Sequence, residues 1–479
     1  RSYHSSAMRI HPLIFLAAMA VLPARAESLP DLGDVSQATL SPAQERAVGY
    51  NIMRQIRQSS SYLDDPEVAA YLNQIGFRLV AVSPEARQDF LFFAMQDTSV
   101  NAFALPGGYV GVHSGLLLTA QSESELAAVL AHEVSHVTQK HIARMIAAQQ
   151  RQGMASLAAI ALAILAARSN PQAAAGAIMA AQAQAMSSAL AFSRDNERDA
   201  DRVGVQILQK SGFDAHAMPV FLERLQRSTR SIETGAPSYL RTHPVTYERI
   251  ADVQNRTYDL PYKQVPDSLD FHLVRAKLRA LQKDPRDAIA YFDDLIAERK
   301  FSNETAARYG LVASLLRAKN TDRALREMKV LLPQAGTQPM IASLNGRLLW
   351  AAGKRPEALD WYAHASKQFP TQRALAYEYA AALIDARRAD ESKLLTDHWL
   401  QKDPDDGKLY ELQARAFAQL GQPMMEHRSL AEAYVSIGNF PLAMEQLQLA
   451  LRSSNGDFYE VSCIEARLRE LRGLTAKQQ

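Results

Sequence analysis

Residues 122–141 read SESELAAVLAHEVSHVTQKH, and the five letters at 132–136 decide what the chain around them must be. His132 and His136 are four apart, so on an α-helix they share one face. Two imidazoles at that spacing can hold one metal ion, and Glu133 beside the first is placed to act as a general base on water. The pattern carries this meaning only inside a helix. Ser122, with Glu125 three residues on, has the spacing of a capping box, and Leu126, Val129, Leu130, Val134 and Val137 follow at helical period. The spacing predicts a helix that starts at Ser122 and runs for about six turns or more.

Two histidines leave a catalytic zinc site incomplete, because such sites use three protein ligands and keep one position open. His141 follows His136 by five residues and rotates off the ligand face of a continuous helix, so it reads as a residue of the helix surface or one that stands behind the ligands. The longer HExxH variant would need Gly at 139 and His at 142, where the chain has Gln139 and Ile142. Glu197 is the better third ligand. It lies in a helical run at 191–210 (AFSRDNERDADRVGVQILQK), with Asp201 one turn on and on the same face. Asp201 is then placed to accept the second N–H of a ligand imidazole and fix its tautomer. The same run also reads as a solvated face on which Arg194, Asp195, Glu197, Arg198 and Asp201 pair with each other. Spacing alone leaves both readings open.

Outward from the motif, residues 43–80 read as two helices, Ala43–Ile56 and Val68–Val80. FLFFAM at 90–95 is a strand, and NAFALPGGYVGV at 101–112 is a strand, a Pro-Gly-Gly turn and a second strand. A small mixed sheet packed on helices follows. Gly108, Tyr109 and Val110 are expected on its edge strand, where main-chain groups hold an extended substrate. His243-Pro244 falls in a loop before another helix, and Pro261 and Pro266 mark a linker over 256–268. Beyond it Ala288, Ala324 and Ala358 recur at spacings of 36 and 34 residues, Ser392 falls 34 later, and Ala443 opens a late copy. Small residues at that period mark tetratricopeptide repeats, with a degenerate copy between 405 and 440. The fold class is α+β, mostly α: an HExxH metallopeptidase-type domain over 27–262 with a small sheet, then an all-α tetratricopeptide solenoid over 268–479.

The chain has 479 residues, enough for more than one domain, and 47% of them are hydrophobic, enough for real cores. A net charge of +2 without a basic run gives no electrostatic footing for nucleic acid. Met8-Arg9, the apolar stretch LIFLAAMAVL at 13–22 and Ala24-Arg25-Ala26 form an export signal, with residues 1–7 as an upstream extension and Glu27 as the first mature residue. Cys463 is the one cysteine, so no internal disulfide forms, and the cleavage site has no cysteine to carry a lipid. The predicted address is the periplasm. Residues 145–190 are rich in Ala, Met and Gln, and LAAIALAILAA at 157–167 is too short to span a bilayer. That segment reads as a buried helix pair, as a lid over the cleft, or as a peripheral membrane contact.

HEVSH, NERDADRVG at 196–204, NAFALPGGYVGVHSGLL at 101–117 and the Thr242-His243-Pro244 segment together resemble the CAAX-prenyl-protease-like zinc metallopeptidase family. With an export signal before them and repeats after, the chain is similar over nearly its whole mature length to periplasmic members of that family. The resemblance implies one Zn²⁺ per chain on His132, His136 and Glu197, with Asp201 behind them and Glu133 as the base. His243 and Arg249 become candidates for donors to the oxyanion. His243 is further implied to fill the fourth metal position at rest, as an inhibitory ligand that must move; composition alone reads His243-Pro244 as a loop shaper. The implied function is a periplasmic zinc endopeptidase and chaperone in outer-membrane protein assembly and quality control, degrading stalled or misfolded outer-membrane proteins. Its repeats would hold the assembly machinery and unfolded substrates. The alternative is a repeat-based chaperone or scaffold whose metal site is held closed.

Overall fold

A computed structural model describes residues 41–84, 89–148, 194–229, 238–453 and 458–476. The export segment at 1–26 and all but the start of the 145–190 segment lie outside the described residues. The chain is α+β at its amino-terminal end, with a small sheet among helices, and continues as helical repeats.

Helix α1 (Pro42–Gln58) opens on a Ser41 capping box, and α2 (Pro66–Val80) on Asp65, whose carboxylate accepts the N–H groups of Glu67 and Val68. Three strands follow: β1 (Leu91–Met95), β2 (Ala102–Leu105) and β3 (Tyr109–His113). Their order is β1-β3-β2, with β1 parallel and β2 antiparallel to β3. This corrects the expectation for Gly108, Tyr109 and Val110. Tyr109 and Val110 lie on the central strand, bonded on both sides, and Gly108 is in the turn before it. The edge strands are β1 and β2. Gly107 and Gly108 turn the chain with φ of +79° and +85°, and a Cβ on Gly108 would lie 2.0 Å from the Asp89 carbonyl oxygen.

Helices α3 (Ser114–Thr119), α4 (Glu123–Thr138), α5 (His141–Ala148), α6 (Arg194–Lys210), α7 (Ala217–Thr229), α8 (Ser238–Thr242) and α9 (Tyr247–Tyr258) complete this part. Every residue of α4 is buried. The capping box predicted for it is half realised. Ser122 Oγ accepts the Glu125 N–H, but the Glu125 carboxylate takes the Gln121 N–H and the Arg224 guanidinium instead. The helix is also shorter than predicted: Lys140, at φ +52°, breaks it after Thr138 and starts α5 in a new direction. Helix α6 packs on α4 with Gly204 facing it; a Cβ there would lie 3.4 Å from the His132 backbone nitrogen and 3.1 Å from Met218 Cε.

From Leu269 onward the described chain is helix pairs. First helices are Leu269–Gln282, Glu304–Arg317, Pro339–Ala351, Arg373–Asp385, Gly407–Gln419 and Phe440–Arg452. Second helices are Pro285–Ala297, Thr321–Ala335, Arg355–Gln368, Ala389–Lys402, Pro423–Ser436 and Phe458–Ala476; in chain order the twelve are α10 to α21. Ala288, Ala324, Ala358 and Ser392 are fully buried near the starts of second helices, as the period predicts. Glycines of first helices receive aromatic rings: a Cβ on Gly310 would strike Phe292, and one on Gly346 would strike Tyr362. The stretch at 405–440 is a regular pair, although its second helix has Glu426 where a small residue stands in earlier copies. Ala443 is, like Ala288, a fully buried fourth residue of its helix.

The repeats curve back onto the amino-terminal helices. Lys277 of α10 reaches Asp65 at 2.6 Å and Glu67 at 2.5 Å. At the far end Arg57 and Gln58 donate to the carbonyls of Ser436 and Ile437, and Arg54 lies over the Phe440 ring. Val68 and Leu72 share one apolar core with Phe271, Val274 and Leu344.

Candidate metal centre

Helix α4 presents His132 and His136 on the face that meets α6, and α6 presents Glu197 and Asp201 in return. The short helix α8 then delivers His243, whose N–H is tied to the Tyr239 carbonyl at 2.8 Å. The result is a buried cluster of His132, His136, Glu197 and His243, whose donor atoms all lie within 4.8 Å of one another. His136 Nε2 is 3.0 Å from His132 Nε2 and 3.4 Å from Glu197 Oε1. His243 Nδ1 is 2.9 Å from Glu197 Oε1 and 3.4 Å from His132 Nε2. The spacing that left Glu197 open between ligand and solvated face is resolved: the residue is 1% exposed and points at both histidines.

Asp201 takes the position read for it, with Oδ1 2.9 Å from His132 Nδ1, so that Nε2 of that ring is turned toward the cluster. Arg249 takes a different one. Its Nε and Nη2 grip Asp201 at 2.8 and 2.9 Å, and its Nη1 reaches the Pro244 carbonyl at 2.9 Å and Glu197 at 2.5 Å. The expectation of an oxyanion donor is corrected here, because the guanidinium is committed to the carboxylates behind the ligands. A surface pocket lined by Arg194, Arg198, Pro244, Thr246 and Glu248 reaches Glu197 and Arg249 from outside.

Glu133 is fully buried, and neither carboxylate oxygen has a well-formed hydrogen bond; the Ala104 N–H and His243 Nε2, at 3.6 Å, are its polar neighbours. Burial raises its proton affinity, against the pull of His243 and His132. A buried carboxyl with open acceptor sites beside a ligand cluster is suited to a water or a substrate proton.

The electrostatics favour a cation. Burial would lift Glu197, but the His243 and Arg249 charges and the two ligand histidines hold it well below the usual carboxylate range. Asp201 is held low as well, against burial, by Arg249 and His132. Two carboxylates then face one guanidinium. His132 shows the demand for positive charge: burial would lower it, yet hydrogen bonds to Asp201 and Glu197 carry it up to about 10. Burial pushes His136 well below its usual value, which keeps a nitrogen lone pair available. Buried imidazoles with one carboxylate, converging on one point, are a fitting donor set for a metal.

Three participants were missed or left undecided by the sequence reading. Tyr239 stacks on His243 with ring centroids 4.7 Å apart, and the one signal for it is an aromatic residue one turn before that histidine. His141 is wholly buried against His136, because the break at Lys140 swings it back. The third is β2. The Asn101 carbonyl accepts from His113 N–H, so odd residues of β2 aim their main chain at β3. Ala102 and Ala104 therefore aim theirs away from the sheet, on the side of α4 and Glu133.

Residues 66–257 match the sequence profile of peptidase family M48. The chain is 32% identical over 452 residues to the beta-barrel assembly-enhancing protease of Escherichia coli K12, covering 94% of this chain and 92% of that protein. It is 40% identical over 319 residues to a putative beta-barrel assembly-enhancing protease of Vibrio cholerae, covering 65% of this chain and 66% of that one. A mitochondrial metalloendopeptidase of Schizosaccharomyces pombe is 30% identical over 185 residues, or 38% of this chain and 51% of that protein.

Proposed function

The chain belongs to peptidase family M48 and is a metalloprotease; from that premise we propose that it is a periplasmic zinc endopeptidase of outer-membrane β-barrel assembly, held shut at rest by His243. The observation that carries this reading is the convergence of His132, His136, Glu197 and His243, four donors where a working site needs three and an opening. We take residues 27–262 as the peptidase unit and 268–479 as the repeats that hold assembly components and substrates. The names of the relatives support β-barrel assembly as the setting, and degradation of stalled or misfolded outer-membrane proteins is the task we assign within it.

His132, His136 and Glu197 would hold the zinc, which supplies Lewis acidity to the scissile carbonyl and to water. Asp201 fixes the His132 tautomer, and Arg249 clamps Asp201 and Glu197 at their places. The outward amide of Ala102 and the outward carbonyls of Ala102 and Ala104 pair with an extended substrate as an added strand, while the Ala104 N–H faces Glu133. Glu133 accepts the proton of the attacking water and returns it to the leaving amine, a task for which its burial and unfilled acceptor sites suit it. His243 stands 3.6 Å from Glu133 and must swing away with α8 before water and substrate enter.

The second reading, a chaperone whose centre rarely opens, draws on the same His243 contacts. His243→Ala separates the two. With an unfolded outer-membrane protein as substrate, the gated protease should cleave several-fold faster once the ring is gone. No rise in rate would leave His243 as a loop-shaping residue and remove the gate.

A further inference from the structure

The two ligand histidines of α4 are held from behind by unlike partners. His132 gives its Nδ1 proton directly to Asp201. His136 Nδ1 lies 2.9 Å from Nδ1 of His141, and the two rings meet at 73° with centroids 4.9 Å apart. His141 Nε2 lies 3.3 Å from Asp199 Oδ2, and Asp199 is in turn held by Arg202 at 2.5 Å. This chain of contacts exists because α4 ends at Thr138. On an unbroken helix residue 141 points elsewhere, but Lys140 at φ +52° turns α5 so that the His141 ring is buried completely against His136.

The proton positions follow from the geometry. Two Nδ1 atoms at that distance share one proton. His136 turns Nε2 to the cluster, 3.0 Å from His132 Nε2, so its proton is on Nδ1. His136 therefore donates to His141 Nδ1, and His141 carries its own proton on Nε2 and donates it to Asp199. We propose that His141 is a positioning residue of the metal centre: it fixes the ring and tautomer of His136 and passes to it the pull of the Asp199 carboxylate. Ligand, imidazole and carboxylate stand in line where the other ligand histidine has a carboxylate alone. The inference rests on the metal reading of the site given above.

The test is zinc affinity of the full-length protein, read by competition with a chelating dye, for wild type, His141→Ala and His141→Asn. An alanine removes the acceptor; an asparagine can put its amide oxygen where Nδ1 was. Loss of an outer partner of a ligand histidine costs metal affinity about 10–100-fold, so His141→Ala should fall in that range and His141→Asn should recover most of the loss. Equal affinity of His141→Ala and wild type would overturn the assignment while leaving the metal site intact. A wild type that takes up no zinc would sink the metal reading itself, a distinguishable result. If the variants do not fold, histidine-selective ¹⁵N NMR of the zinc-loaded wild type decides. It should show His136 protonated on Nδ1 and His141 on Nε2, and a His141 protonated on Nδ1 would overturn the proposal.

Discussion

Arg249 spans two carboxylates and a loop carbonyl with one buried guanidinium. A lysine would keep the charge and lose the fork, leaving Asp201 half-held in a buried site. Arg249→Lys should lower stability by about 1–3 kcal/mol in chemical denaturation, the scale of a lost charged hydrogen bond, and weaken metal uptake in parallel. A variant equal to wild type in both would show that Asp201 and Glu197 are held by other groups. The carboxylates themselves were legible in the sequence, because a separation of four on a helix fixes a shared face. The partner of Arg249 was not, because its choice between oxyanion and carboxylates depends on how α9 docks on α6. His141 was left between the helix surface and a place behind the ligands for a related reason. Counting faces assumes an unbroken helix, and Lys140 adopts a left-handed conformation with no glycine to mark it.

At the scale of elements, β2 is the edge strand that packs on α4 and the one proposed to receive substrate. The Ala102 N–H points away from β3, so proline there removes a donor without breaking the ladder, whereas at Phe103 it would remove a sheet bond. Ala102→Pro should keep fold and metal content while raising KM for an extended peptide by about tenfold, the cost of roughly one net hydrogen bond. An unchanged KM would mean that substrate does not add to this strand. The hairpin was readable from Pro106-Gly107-Gly108, since local turn chemistry pairs neighbouring strands. The order of the sheet was not, because nothing local to 101–112 says that β1 joins β3 rather than β2. The repeats were legible down to Ala288, Ala324, Ala358 and Ser392, because every copy meets the same crossing. The pair at 405–440 lost that mark when Glu426 replaced the small residue, yet its buried Leu409, Leu412, Ala416 and Ala431 preserve the packing.

At the scale of the molecule, the repeats and the amino-terminal helices share a polar seam as well as an apolar core. Lys277 pairs with Asp65 and Glu67, and farther along Ser343 donates to Glu378 at 2.8 Å with Arg347 3.4 Å away. Burial raises the Glu378 carboxyl above its ordinary value of 4.5; Arg347 opposes the shift and Glu67 adds to it. A carboxyl raised on folding binds its proton more tightly in the folded state. Its stabilisation is complete below the unfolded value and is lost as pH rises through the folded one. Melting temperature should therefore fall as pH climbs from about 4.5 past the raised value, and Glu378→Gln should flatten that slope. An identical slope in the variant would place the pH dependence elsewhere. In the amino-terminal part, Glu133 stands with its acceptor sites unfilled beside the ligand cluster. The most direct test is the cleavage rate of the zinc-loaded Glu133→Gln protein on an unfolded outer-membrane substrate. The expected result is zinc content equal to wild type with cleavage reduced by about 10²-fold or more, the loss of a general base. Cleavage at the wild-type rate in that variant would contradict the assignment of this centre as the site of proteolysis.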